Sequence, residues 1–274
     1  MDNSVIMDNI DLPPGAESAV LEDSIMQKGR VASAGSEILG NFISPFDATV
    51  VTRLEAAGIN IIGRTKMTEF GVAGLFADMP WNRESETGGA NAAVSAVVDG
   101  VATFALCNDY TGAVSREAAA LGVCYLHPTF GTVSRYGLIQ SVPSMDQIGI
   151  VCSKPEDGFR ALSIIAGYDP KDGVSVSGGR FSLTHECVKE NRPPDTPELK
   201  YLDICNQVMQ ILCCAEFSNC VSRYDGVKFG RRAEGYNDLR ELYTKSRTEG
   251  FGADVKLAAI IGAMVLSQEN YARY

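Results

Sequence analysis

Between about Pro45 and Gly167 the sequence alternates short apolar runs with stretches of helical periodicity. That alternation restricts the chain to an α/β architecture, a sheet covered by helices on both faces. Ile59–Ile62, Val101–Leu106 and Val123–Leu126 are too short for helices and read as buried strands. Ahead of the first run, Val50, Val51 and Leu54 fall on one helical face, with Asp47 placed to cap the helix and Gly58 to stop it. Pro155 opens another helix that carries Phe159, Leu162 and Ile165 on one face and ends at Gly167.

From Asp169 to Pro197 the chain turns polar and rich in Gly, Ser and Pro, which predicts a flexible surface connector at about 170–197. Thr196 and Pro197 suit the N-cap and first position of an apolar helix running to about Val221. Asn237 is placed to cap a charged helix ending near Gly250, and a last apolar helix follows from about Ala253. A single domain over residues 1–274 is expected.

At 274 residues the chain can bury a core without covalent staples. Its eight cysteines are spread along the chain with no Cys-x-x-Cys pair. Four of them, Cys205, Cys213, Cys214 and Cys220, share one apolar segment, so reduced, buried thiols are expected. His127 and His185 stand far apart and outside any metal-ligand spacing, so neither a metal nor a cofactor is expected. A net charge of −10 argues against direct nucleic-acid binding by the field of the whole chain. The longest apolar run, Leu257–Leu266, is too short for a bilayer, and Met1-Asp2-Asn3 lacks the basic flank of a signal peptide. A soluble, cytoplasmic protein with no membrane contact is expected.

Four separated blocks carry a resemblance. Asp23–Gly29 goes with Asp47–Leu54, Gly88-Gly89 leads to Gly112, His127–Gly137 goes with Met145–Gly149, and Arg223–Gly230 goes with Ser246–Gly252. In this order they resemble the amidase signature family, on the side of the A subunits of glutamyl-tRNA(Gln) amidotransferases. The resemblance implies a mixed sheet between helices. It also implies a serine nucleophile, a second serine that relays the proton, and a lysine base. Those three positions fall here on Ala113, Ala90 and Glu22. A methyl group neither attacks nor relays, and a carboxylate in place of an ammonium reverses the local charge. Tyr110 and Thr111 replace smaller residues where oxyanion donors belong, so a narrower pocket is expected.

These departures imply a catalytically inactive relative with a binding, assembly or structural role. The alternative is a divergent amidase acting on a glutamine-like amide, with Ser115 as nucleophile and Glu22 or Asp109 as base. By position, Asp109, Tyr110, Ser115 and Arg223 are the candidate ligand-binding residues. Arg223 matches the family arginine that pairs with a carboxylate, and an ion pair at a helix end is the other reading. His127 replaces a family lysine and reads as hydrogen-bonded packing. The chain passes straight across the connector where the family carries further strands. Part of the family sheet is therefore expected to be missing and another protein chain to cover it, either a second copy or an amidotransferase-like subunit.

Overall fold

The structure, a computed structural model, describes residues 5–7, 15–76, 91–177 and 201–273. Among the described residues six strands form one mixed sheet: β1 (Val5–Met7), β2 (Ser18–Glu22), β3 (Asn60–Thr65), β4 (Phe104–Asn108), β5 (Cys124–Leu126) and β6 (Ile148–Cys152). Their order across the sheet is β1-β3-β2-β4-β6-β5. The central strands β3, β2 and β4 are parallel, and β1, β6 and β5 join antiparallel. Strands covered on both faces read as unbroken apolar runs, as Phe104–Cys107 does.

Side chains alternate between the two faces. Phe104 and Leu106 enter a core with α1 (Thr49–Ala56) and α4 (Pro155–Ile165), where Leu54, Leu162 and Ile165 meet them. Ala105 and Cys107 enter the opposite core with α2 (Ala92–Val98) and α3 (Ala113–Ala120), against Val94, Val97 and Val114. A third apolar cluster joins α5 (Leu202–Val221) and α7 (Ala253–Val265) to the 3-10 segment Glu69–Phe76. At its centre Phe70 stacks on Tyr224 and meets Phe217 and Phe251 edge-on. The charged helix α6 (Leu239–Gly250) lies between α5 and α7 in sequence.

Several expectations are corrected. Ala48, not Asp47, is the N-cap of α1, because Asp47 accepts the backbone amide of Lys28 at 2.7 Å. β4 begins at Phe104, since Val101 and Ala102 still bond back to Ala96 at the end of α2. Phe159 is 36% exposed, and Gly158, Ala161, Leu162 and Ile165 make the buried face of α4. Asp238 caps α6, while Asn237 donates to the Glu241 carboxylate from both its backbone and its side chain. Cys205 is an exposed thiol, unlike Cys213, Cys214 and Cys220. His127 is exposed and stacks on Tyr125. The connector predicted at 170–197, the Thr196-Pro197 start, His185 and Ala90 lie wholly or largely outside the described residues. Among the described residues no helix is long and apolar enough to cross a membrane.

Candidate functional site

β2 and β4 are parallel neighbours, so their C-terminal ends bring Glu22, Asn108 and Asp109 to one end of the sheet. Glu22 is 2% exposed. Its Oε1 accepts the Ser24 hydroxyl at 2.5 Å and the Asn108 amide at 3.3 Å. Burial removes water from this carboxylate and outweighs both hydrogen bonds. With Asp109 and Asp23 repelling it as well, its pKa is pushed up to about 7. The same burial, then Glu22 and Asp109, hold the Cys107 thiol well above its usual range.

Asn108 carries the network inward. Its Nδ2 donates to Asp146 Oδ1 at 2.8 Å, and its Oδ1 accepts the Gln147 amide at 2.9 Å. Asp146 Oδ2 accepts the amides of Ser141 at 2.8 Å and Val142 at 3.0 Å. Burial raises the pKa of Asp146 despite these donors.

The head of α3 is saturated by its own chain. Gly112 sits at the N-cap with a φ of 74°, a left-handed turn that glycine adopts without strain. The Asp109 carboxylate accepts the amides of Val114 at 3.2 Å and Ser115 at 2.9 Å, and Thr111 Oγ1 accepts that of Ala113 at 3.4 Å. A helix start offers its first amides to an anion, but here those of Ala113, Val114 and Ser115 are already occupied. The Ser115 hydroxyl donates to the Gly112 carbonyl at 3.0 Å, and the hydroxyl bonded to Glu22 is that of Ser24, 1% exposed.

Gly74 lies directly against this turn. A Cβ built there would collide with the Thr111 hydroxyl and stand 2.9 Å from Thr111 Cβ and 3.1 Å from Ala113 Cβ. Gly74 therefore packs against the turn that carries Ala113, while Ala113 itself remains partly exposed. Tyr110 points into the core, 5% exposed, and its hydroxyl donates to the Phe70 carbonyl at 2.8 Å.

Arg223 belongs to a different place. It lines a cavity of about 500 Å³ whose walls include none of Glu22, Asp109, Tyr110, Ala113 or Ser115. Its Nε donates to the Cys220 carbonyl at 2.8 Å and its Nη2 to the Cys220 sulfur at 3.1 Å, which orients the guanidinium. Among the described residues no carboxylate lies within ion-pair distance of it. The cavity walls include Met26, Leu39, Phe42, Leu138 and Ile139, with Lys228 as a second cation and, among the described residues, no Asp or Glu. Apolar walls with a few placed charges suit a small organic anion. Among the described residues no group of three or more His, Cys, Asp or Glu is arranged to hold a metal.

Sequence reasoning missed Gly74, Lys228 and Ser24. Gly71 and Gly74 in an apolar stretch did signal close backbone approach. Lys228 stood inside a block read only for its likeness to the family.

The family model described as Amidase matches residues 19–195. The A subunit of glutamyl-tRNA(Gln) amidotransferase from Thermosynechococcus vestitus is 34% identical over 297 residues, covering 93% of this chain and 62% of the relative. The chain therefore spans about three fifths of the length of such relatives. The solved A subunit of the Thermotoga maritima glutamyl-tRNA(Gln) amidotransferase is similar with a TM-score of 0.57 and 25% identity, over 97% of this chain and 64% of that one. A chain from a complex described as vestigial, tied to the origins of an s-triazine catabolic enzyme, gives a TM-score of 0.63 at 19% identity, over 96% and 62%.

Proposed function

We propose that this chain, which belongs to the amidase family, is a non-hydrolytic member of it, kept for binding and assembly. One observation carries the reading. At the position the family assigns to the nucleophile stands the Ala113 methyl, with Gly74 packed against its turn, at a helix start whose first amides are held by Asp109 and Thr111. Amide hydrolysis needs an attacking hydroxyl, a base within reach and donors for the oxyanion. Glu22 sits where the family has its lysine, but its hydrogen-bonded hydroxyl, Ser24, is sealed in the core. Ser115, the nucleophile of the alternative active reading, has its hydroxyl turned to the Gly112 carbonyl.

The binding role belongs to the cavity around Arg223 and Lys228. Its two cations and apolar walls favour a small carboxylate with an apolar body. The assembly role is supported by the relatives, which are named as subunits, and by the complex that contains one structural neighbour. The partner is an amidotransferase-like subunit or a second copy of this chain, met in the cytoplasm.

The test is ammonia release from glutamine, asparagine and simple amides, together with labelling by a serine-reactive fluorophosphonate. The expected result is no turnover and no label on Ser115. Reproducible turnover that disappears in Ser115→Ala would overturn the reading. Co-purification and light scattering test the assembly role, for which a strictly monomeric species without companions is the adverse result.

A further inference from the structure

Two cysteines stand directly opposite each other across the antiparallel pair β5–β6, Cys124 on the outer strand and Cys152 on its neighbour. Both are free thiols. They share one face of the sheet, Cys152 inside the cluster beneath α1 and α4 and Cys124 packed against it. Opposed antiparallel residues lie about 4.5–5.5 Å apart at Cα, within the roughly 4.4–6.8 Å that a disulfide spans. Cys152 is fully buried, with its sulfur lodged beside Gly158 of α4, whereas Cys124 is half-buried.

We propose that Cys124 and Cys152 are a redox-active dithiol that closes to a disulfide, with a low-molecular-weight disulfide such as oxidised glutathione as the oxidant. The Cys124 thiolate attacks one sulfur of oxidised glutathione, forming a mixed disulfide and releasing one glutathione thiolate. Cys152 then attacks the Cys124 sulfur and expels the second glutathione. Two protein thiols are oxidised to one disulfide, one glutathione disulfide is reduced to two thiols, and the two protein protons end on glutathione.

The unequal burial sets the order. Burial, then the neighbouring Cys124 thiol, push the Cys152 pKa up to about 12, so Cys152 is a poor partner for an external oxidant. Once Cys124 carries glutathione, the opposed position of Cys152 makes its attack intramolecular.

The linkage also acts at a distance in the sequence. Residues 125–151 contain Leu138, Ile139 and Gln140, which wall the cavity around Arg223, and Asp146, which anchors Asn108. A bond between Cys124 and Cys152 ties the two ends of this segment together and narrows its excursions. Oxidation therefore rigidifies one wall of the cavity.

The experiment incubates the full chain, under native conditions, in glutathione buffers of rising oxidised fraction, followed by alkylation, digestion and mass spectrometry. The expected product is a Cys124–Cys152 peptide pair lighter by two hydrogens. In Cys152→Ser, Cys124 is expected to stop at the glutathione adduct, and in Cys124→Ser, Cys152 is expected to remain a free thiol. Cys205→Ser, at the exposed thiol, leaves the linkage unchanged. Hydrogen exchange on the same wild-type samples should slow across residues 127–147. The proposal is overturned if folded wild-type chain keeps a mixed disulfide at Cys124 beside free Cys152, if neither cysteine reacts, or if the link forms only in denaturant. Unchanged exchange in linked protein overturns the effect on the cavity wall.

Discussion

Replacing Glu22 with glutamine should stabilise the protein at neutral and alkaline pH and leave it unchanged in acid. The Glu22 carboxyl has an ordinary pKa of 4.5 and one of about 7 in the folded chain, where it is completely buried. The folded state thus holds its proton more tightly, and between those two values it binds more protons than the unfolded chain. Stability falls as pH rises through this window and levels off above it. At about 1.4 kcal/mol per pH unit, the rise from 4.5 to about 7 makes the full penalty about 3.5 kcal/mol. Glutamine removes the titration and keeps the geometry, because one oxygen, Oε1, accepts both the Ser24 hydroxyl and the Asn108 amide. Urea melts of both proteins from about pH 4 to about pH 9 measure the difference. Glu22→Gln should match wild type at the acid end and exceed it by about 3 kcal/mol near pH 8. A difference that is flat across pH, or that favours wild type at pH 8, would refute the claim that Glu22 is an unpaired buried acid.

Gly74→Ala should cost about 1–3 kcal/mol, since its methyl strikes Thr111 and crowds Ala113, and Thr111→Ala should recover part of the loss by removing the struck hydroxyl. Thermal melts of the single and double variants check this, and an undiminished melting temperature in Gly74→Ala would mean that the turn is looser than described. Asp109→Ala should cost about 1–2 kcal/mol by uncapping the amides of Val114 and Ser115 and should shorten α3 protection in hydrogen exchange. Asp146→Ala leaves Asn108 Nδ2 and the amides of Ser141 and Val142 without their acceptor, so a loss of about 3 kcal/mol or more in urea is expected.

The strands were legible because short apolar runs such as Ile59–Ile62 and Val123–Leu126 mark them without any partner in view, but their burial was less so, since β5 is a half-buried edge strand and not a fully buried one. Caps were less legible. Asp47 and Asn237 carry capping chemistry, but Asp47 is claimed by the Lys28 amide and Asn237 by Glu241, so the true caps fall one residue later. Phe159 has the right period for α4 but is 36% exposed and falls outside the face made by Gly158, Ala161, Leu162 and Ile165, as burial depends on the neighbour and not on the pattern alone. Glu22 and Ala113 were visible as residue types. Their surroundings were not, because Gly74, Thr111 and Ala113 meet only after the chain has folded. The cavity around Arg223 is assembled from segments as distant as Met26, Leu138 and Lys228, and no local spacing encodes it.

The two halves of the molecule's polar interior are one structure. Glu22 holds the Asn108 amide, Asn108 holds Asp146 and receives Gln147, and Asp146 fixes the turn at Ser141 and Val142 just beyond the cavity wall at Leu138–Gln140. These groups face one another, and each such bond occupies a donor or acceptor within the buried network. A cation at position 22 would sit between Asp23 and Asp109 and offset their charge, whereas the carboxylate adds to it and is relieved by taking up a proton. A serine placed at Ala113 alone would therefore meet amides already bound by Asp109 and Thr111 and a turn against which Gly74 is packed. On the proposed non-hydrolytic reading, hydrolysis would need several coupled changes at this site, and Ala113→Ser by itself should release no ammonia from glutamine.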